Sequence, residues 1–244
     1  MSKLKVPSLQ HLARNWRNDP QQIKRLLVGL VENGPTFNYN ALFSAVRDML
    51  IFRQPYTEIA EGIRRGIKRA DVRDNLLGVL PLVRDYFDEV NPAFVQAVER
   101  RYYPVGRGLM VPFDPPLIYG EGGRVHFPWF SFWRTNPLAG ERLSLFVSVV
   151  EDVLLQDPDL EEADFVILDF SAPKFDRPRD LRVIEADDVP RVSETTKVEM
   201  LSVFAEGYFL AQAELASTAT AHGEEKPARE PGPLNQPDLF DGDR

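Results

Sequence analysis

Apolar residues recur at three- and four-residue intervals along the first hundred positions, then give way to a denser aromatic pattern. Ile23, Leu26, Leu27 and Leu30 form one stripe, and Leu42, Phe43, Val46 and Leu50 form another. Such spacing gathers apolar side chains on one side of an α-helix. Helices are therefore predicted from Ser8 to Arg17, from Asp19 to about Asn33, from Tyr39 to Phe52, from Thr57 past Ile67, and from Asp71 to Asp88. Asp19-Pro20 is a strong start signal, because Asp caps the helix and Pro is preset for its first position. Pro81 is expected to kink or split the fifth helix. Asn91-Pro92 is expected to cap a sixth, running into Tyr102.

From Tyr102 to Trp133 the pattern changes. Nine of the 26 aromatic residues lie in these 32 positions, interrupted by five prolines and five glycines. No helix crosses so many Pro and Gly residues. Strands are predicted at Leu109–Phe113, Pro116–Tyr119 and Arg124–Trp133, with a turn at residues 120–123. Period-two alternation directs Val125, Phe127 and Trp129, with Ser131, to one face of the last strand, and His126, Phe130 and Phe132 to the other. Both faces are therefore expected to be covered.

Asn136-Pro137 then opens a helix to Gln156, followed by an acidic loop at residues 157–162. Phe165–Phe170 and Leu181–Ile184 read as two further strands. Ser193 caps a last helix, with Val198, Leu201, Phe204, Ala205, Tyr208, Ala211 and Leu215 inward. This order predicts an α+β fold, with an N-terminal helical bundle followed by a small, mainly antiparallel sheet covered by helices. The expected organisation is a helical region at 1–101, an α+β region at 102–216 that forms one domain with it or stands beside it, and a tail at 217–244. The tail is polar and rich in Pro and Gly, a composition expected to be disordered.

Charge and composition narrow the function classes. Residues 1–110 carry 17 Lys and Arg against 11 Asp and Glu, and residues 111–244 carry 12 against 26. A basic half is compatible with a nucleic-acid face, and equally with two solvated surfaces that attract each other. The chain has no cysteine, which excludes disulfides, thiolate metal sites and cysteine nucleophiles and fits a reducing compartment. No secretory signal is visible, and no apolar run is long enough to span a bilayer. A cytoplasmic protein without a membrane partner is expected.

Within the polar tail, Leu239-Phe240 is out of place. The peptide Gln236-Pro237-Asp238-Leu239-Phe240 resembles the motif by which bacterial replication and repair proteins bind the sliding clamp: Gln, Leu, Ser or Asp, Leu, Phe. Gln236, Asp238, Leu239 and Phe240 match, and Pro237 stands where Leu is usual. The resemblance implies that Leu239 and Phe240 fill an apolar pocket on the clamp and that Gln236 hydrogen-bonds at a second subsite. It covers five residues and says nothing about the body.

Two constellations in the body carry weaker chemistry. Residues 59–76 resemble a helix-turn-helix, with Ile59-Ala60 in the first helix and Val72 in the second. Arg64 stands where a small residue is usual, and the spacing to Val72 is long. Arg64, Arg65, Lys68 and Arg69 would then face DNA; otherwise they are the solvated face of an ordinary amphipathic helix. Asp169 and Glu185 close the two C-terminal strands. Carboxylates on adjacent strands suit a divalent metal, and the layout is similar to restriction-endonuclease-like nucleases. The lysine of that family's Glu-x-Lys is replaced by Asp187, and Lys174 would substitute only if its loop folds back. Magnesium is implied under that alternative alone; no other cofactor is expected. His11, His126 and His222 have no partner at metal-ligand spacing. The leading expectation is a non-enzymatic adaptor of bacterial DNA metabolism that docks on the clamp. The alternatives are a divergent metal-dependent nuclease and a body that binds a ligand or protein beside the aromatic strands.

Overall fold

A computed structural model describes residues 4–34, 38–174 and 177–223. The first half holds α1 (Leu9–Asn15), α2 (Pro20–Asn33), α3 (Asn40–Leu50), α4 (Tyr56–Gly66) and α5 (Ala70–Val90). Strands β1 (Phe94–Gln96), β2 (Arg101–Gly106), β3 (Leu109–Phe113), β4 (Ile118–Glu121) and β5 (Arg124–Ser131) follow. The chain then forms α6 (Glu141–Leu154), β6 (Asp164–Asp169), β7 (Arg182–Glu185) and α7 (Glu194–Gly223). The fold is α+β, as the order of patterns predicts.

Local chemistry accounts for most of the boundaries. The Asp19 carboxylate accepts from the Gln21 amide at 2.9 Å, and Pro20 occupies the first position of α2. The Ser193 hydroxyl accepts from the Thr196 amide at 3.2 Å and opens α7. α5 runs unbroken through Pro81. The expected sixth helix is absent and strands take its place. Asn91 adopts a left-handed conformation (φ 45°) that ends α5 instead of starting a new helix. Phe94 then pairs with Gly120 on β4. A Cβ on Gly120 would lie 2.2 Å from the Phe94 ring, so the missing side chain makes room for β1.

Five strands form one sheet in the order β1-β4-β5-β6-β7. Every pairing is antiparallel except β5 with β6, which are parallel and joined through α6. The β2–β3 hairpin forms a separate two-stranded sheet. The central strand β5 divides its side chains as predicted. Phe127 and Trp129 enter one core with Phe165 and Ile167; Phe130 and the following Phe132 enter another with Val166, Leu168 and Phe170.

The first core is closed by α1, α2, α6, α7 and the hairpin, and the second by α3, α4 and α5. The N-terminal helices thus divide between the two faces of the sheet. α2 lies along α7, where the Trp16 indole donates to the Met200 carbonyl oxygen at 3.1 Å and Lys24 pairs with Glu214 at 2.6 Å. α7 differs from its predicted stripe in one register. Val198 is exposed, whereas Lys197 is 3% exposed and bonded to Asp152 (2.5 Å) and Glu194 (2.6 Å). α7 also continues to Gly223, past Ser217 where the tail composition begins. No helix among the described residues is long and apolar enough to cross a membrane.

Candidate functional site

The clamp-like peptide residues Gln236, Asp238, Leu239 and Phe240 lie outside the described residues. The basic group lies at the α4–α5 corner and is exposed, but largely paired. Glu61 accepts from Arg65 at 2.7 Å and lies 3.6 Å from Arg64, while Asp71 holds Arg69 at 2.7 Å. Lys68 is exposed between them. Ile59, Ala60 and Val72, the residues that suggest a helix-turn-helix, are buried in the second core. The first turns of α5 expose Asp71 and Asp74, whose charge opposes phosphate.

Asp169 and Glu185 are not brought together. Glu185 pairs with Val166 across β6 and β7 and so shares its face, whereas Asp169 pairs with Arg182 and lies on the other face. Three positions of β6 also separate them, about 10 Å of strand. Asp169 is 3% exposed and fully engaged: it accepts from Asn136 Nδ2 (2.9 Å), the Ser171 amide (3.1 Å) and the Ser171 hydroxyl (3.2 Å). Its role is to hold the segment after β5. Glu185 lies at the other end of β6, where partial burial and the charges of Asp164, Asp188 and Asp187 raise its pKa against the opposing effect of His126. Lys174 is exposed in the loop after β6.

The structure draws other residues together. A cavity of about 790 Å³ opens where β5 ends, at the carboxyl ends of the parallel pair β5–β6. Such ends, with their loops, are the usual place for ligands in sheets with parallel strands. One wall is α1, through Gln10, His11 and Arg14. α3 and the residue before it add Tyr39, Asn40, Phe43 and Arg47. Trp129 and the run from Phe130 to Thr135 form the floor, and Asp114, Pro115 and Pro116 border it.

The aromatic residues of the cleft are packed against one another. Phe43 lies edge-on to Phe132, with ring centroids 5.0 Å apart, and tilts over Trp129 at 6.2 Å. His11 meets Trp133 edge-on at 5.7 Å, and the Arg14 guanidinium lies 5.5 Å from the Trp133 ring centre. The start of α3 is fixed by Asn38, whose side chain accepts from the Asn40 amide at 3.0 Å. Asn136 orders the far end, accepting from the Leu138 amide at 2.8 Å while it donates to Asp169.

Electrostatically the cleft is cationic. Arg14, Arg47 and Arg134 line it, and Asp114 is the one carboxylate among the lining residues. Asp114 is itself held by Arg100. Burial, reinforced by the charge of Arg14, lowers the His11 pKa to about 4, so the imidazole is neutral at pH 7 and presents one donor and one acceptor. Ser131 is 1% and Trp129 3% exposed. Ser131 Oγ and Trp129 Nε1 are buried with no hydrogen-bond partner among the described residues, as is Gln10 Oε1. Arg101 Nε, away from the cleft, is a fourth such atom, and each costs about 1–3 kcal/mol.

No protein-family model matches the sequence, and no curated protein matches it. The sequence points to a site beside the aromatic strands but does not name the residues that line this cleft. Its polar residues come from α1, α3 and the segment after β5, which no local pattern links. The one available signal is the density of Trp and Phe between Trp129 and Trp133 beside a lone serine.

Proposed function

We propose that this chain is a non-enzymatic interaction protein whose folded body receives a ligand in the cleft at the end of β5. The observation that carries this reading is the aromatic, arginine-lined cleft of about 790 Å³ at the carboxyl ends of β5 and β6. Cavities of this size and character are typical of small-molecule sites. The test is a thermal-shift screen of aromatic compounds, neutral and charged, against the protein and Ser131→Phe. Hits that stabilise the protein and are lost in Ser131→Phe support the reading; a screen without hits overturns it.

A second reading rests on a different observation. Gln236, Asp238, Leu239 and Phe240 stand at the spacing of the bacterial clamp-binding peptide. On this reading the peptide docks on the sliding clamp and the body brings its ligand site to DNA metabolism. An apolar anchor set in a polar segment is a composition that suits a transient docking peptide. Titration with the sliding clamp, beside a Leu239→Ala/Phe240→Ala version, tests it. Binding by the parent and none by the double variant is expected, and equal behaviour of the two would remove the proposal.

A further inference from the structure

We propose that the cleft takes a planar anion of nucleotide size: a heteroaromatic ring bearing phosphate, either as a free nucleotide or at the end of a single strand. This rests on the reading of the cleft as a ligand site and adds the chemistry of its occupant. Three features of the lining converge on that class.

The first is charge. Arginine is the side chain best matched to phosphate, through its planar fork of donors. Arg14 comes from α1, Arg47 from α3 and Arg134, which also donates to the Arg177 carbonyl oxygen, from the segment after β5; the one lining acid, Asp114, is already bound by Arg100. An organic cation would meet these guanidinium groups, so the aromatic walls are not a cage for an ammonium ligand. The second feature is shape. Phe43 and Trp133 are half-buried rings in the lining, and stacking of a base on such a ring contributes about 1–3 kcal/mol. A cavity of about 790 Å³ holds a base, a sugar and a phosphate together, and it exceeds what one small ring fills.

The third feature is the polar edge. His11 and Asn40 line the cleft and offer donors and acceptors to the edge of a base. The aromatic floor lies at the end of β5, whereas Arg14 and Arg47 are exposed side chains. The ligand therefore enters ring first and leaves its anion at the rim.

The experiment titrates the full chain with the four ribonucleoside monophosphates, their four nucleosides, inorganic phosphate, neutral indole, and a short single-stranded oligonucleotide with a 5′-phosphate. Calorimetry and tryptophan emission report binding, since Trp129 and Trp133 line the cleft. At least one monophosphate is expected to bind about tenfold or more tightly than its nucleoside, the cost of losing a charged hydrogen bond. Arg47→Gln and Arg14→Gln each lower that affinity by about tenfold, and Arg47→Gln leaves the urea midpoint unchanged because its side chain is exposed. An oligonucleotide that binds more tightly than every monophosphate, with the same Arg47 dependence, assigns a strand end as the source; weaker binding assigns the free nucleotide. Monophosphates that fail to bind while indole binds overturn the anion and leave the cleft reading standing. Monophosphate binding unmoved by both arginine variants also overturns it. If neither indole nor any monophosphate binds, the cleft reading itself falls.

Discussion

The Arg179 guanidinium donates to the Trp133 carbonyl oxygen across 2.9 Å. The same nitrogen reaches the Phe170 carbonyl oxygen at 2.7 Å, and its neighbour reaches Asn75 Oδ1 at 2.8 Å. One side chain therefore ties the floor of the cleft, the end of β6 and the helix α5 together. Burial lowers its pKa, and the Tyr39 hydroxyl opposes that effect. Lysine cannot replace a planar fork that serves three acceptors. Arg179→Lys is expected to lose about 2–3 kcal/mol of stability, measured by urea unfolding, because two partly buried acceptors lose their donor. An unchanged midpoint would show that the strut is not needed.

His11 predicts an acid limb in the stability curve. Its folded pKa of about 4 lies below the ordinary 6.5, so the unfolded chain binds the proton more readily. The sign follows: the contribution is complete above pH 6.5 and is lost as pH falls toward 4, by roughly 3 kcal/mol at most. His11→Gln should flatten the urea midpoint between those values, relative to the parent. A parent and variant with parallel pH profiles would count against a buried neutral imidazole.

Lys197 gives the opposite slope. Burial alone would lower its pKa, but the hydrogen bonds to Asp152 and Glu194 outweigh burial and raise it. Its stabilising contribution is therefore present below the ordinary lysine range and lost as pH rises through the raised value. Tyr103 also donates to Asp152, at 2.7 Å. Asp152→Asn leaves an ammonium in the core with one exposed partner, and a loss of about 2–3 kcal/mol is expected, less than for a fully buried pair. Lys197→Met, with the charge gone, should lose less than Asp152→Asn. The reverse order in chemical denaturation would contradict this account.

Gly207 sets the spacing of α2 and α7. A Cβ there would lie 2.6 Å from Ile23 Cβ and 2.8 Å from the Pro20 carbonyl oxygen. Gly207→Ala must push the helices apart, at about 1–3 kcal/mol. Gly62 is the contrast: it lies inside α4, and its Cβ would meet nothing within 4 Å. Gly62→Ala is expected to stabilise by about 0.5–1 kcal/mol, by restricting the unfolded chain. Thermal melts of the two variants should move in opposite directions.

What the sequence discloses follows the reach of each signal. The helix stripes, the Asp19-Pro20 start and the alternation along β5 are local patterns, and they appear in the fold where the residues place them. The segment after Asn91 misleads because Asn-Pro opens a helix in one backbone conformation and closes one in another. Only the distant Gly120, which admits the Phe94 ring, decides between them. Lys197 is likewise opaque: a lysine beside Val198 reads as solvated until Asp152 of α6 is seen to lie against it. The acids at Asp169 and Glu185 show the limit of strand-end reasoning. Being on neighbouring strands does not settle the face, which depends on a register that the loop between them hides. The cleft was the least legible feature, because its lining is collected from four separate parts of the chain.

The bond from Trp16 to Met200 joins positions 184 residues apart, and it lies in the packing of α2 and its neighbours against α7. During synthesis at about 5–20 residues per second, the first two helices leave the ribosome roughly ten to forty seconds before their partner exists. For that interval Leu9, Leu12, Ile23 and Leu27 have no α7 to cover them. A chain truncated anywhere before α7 leaves those side chains without that cover for good.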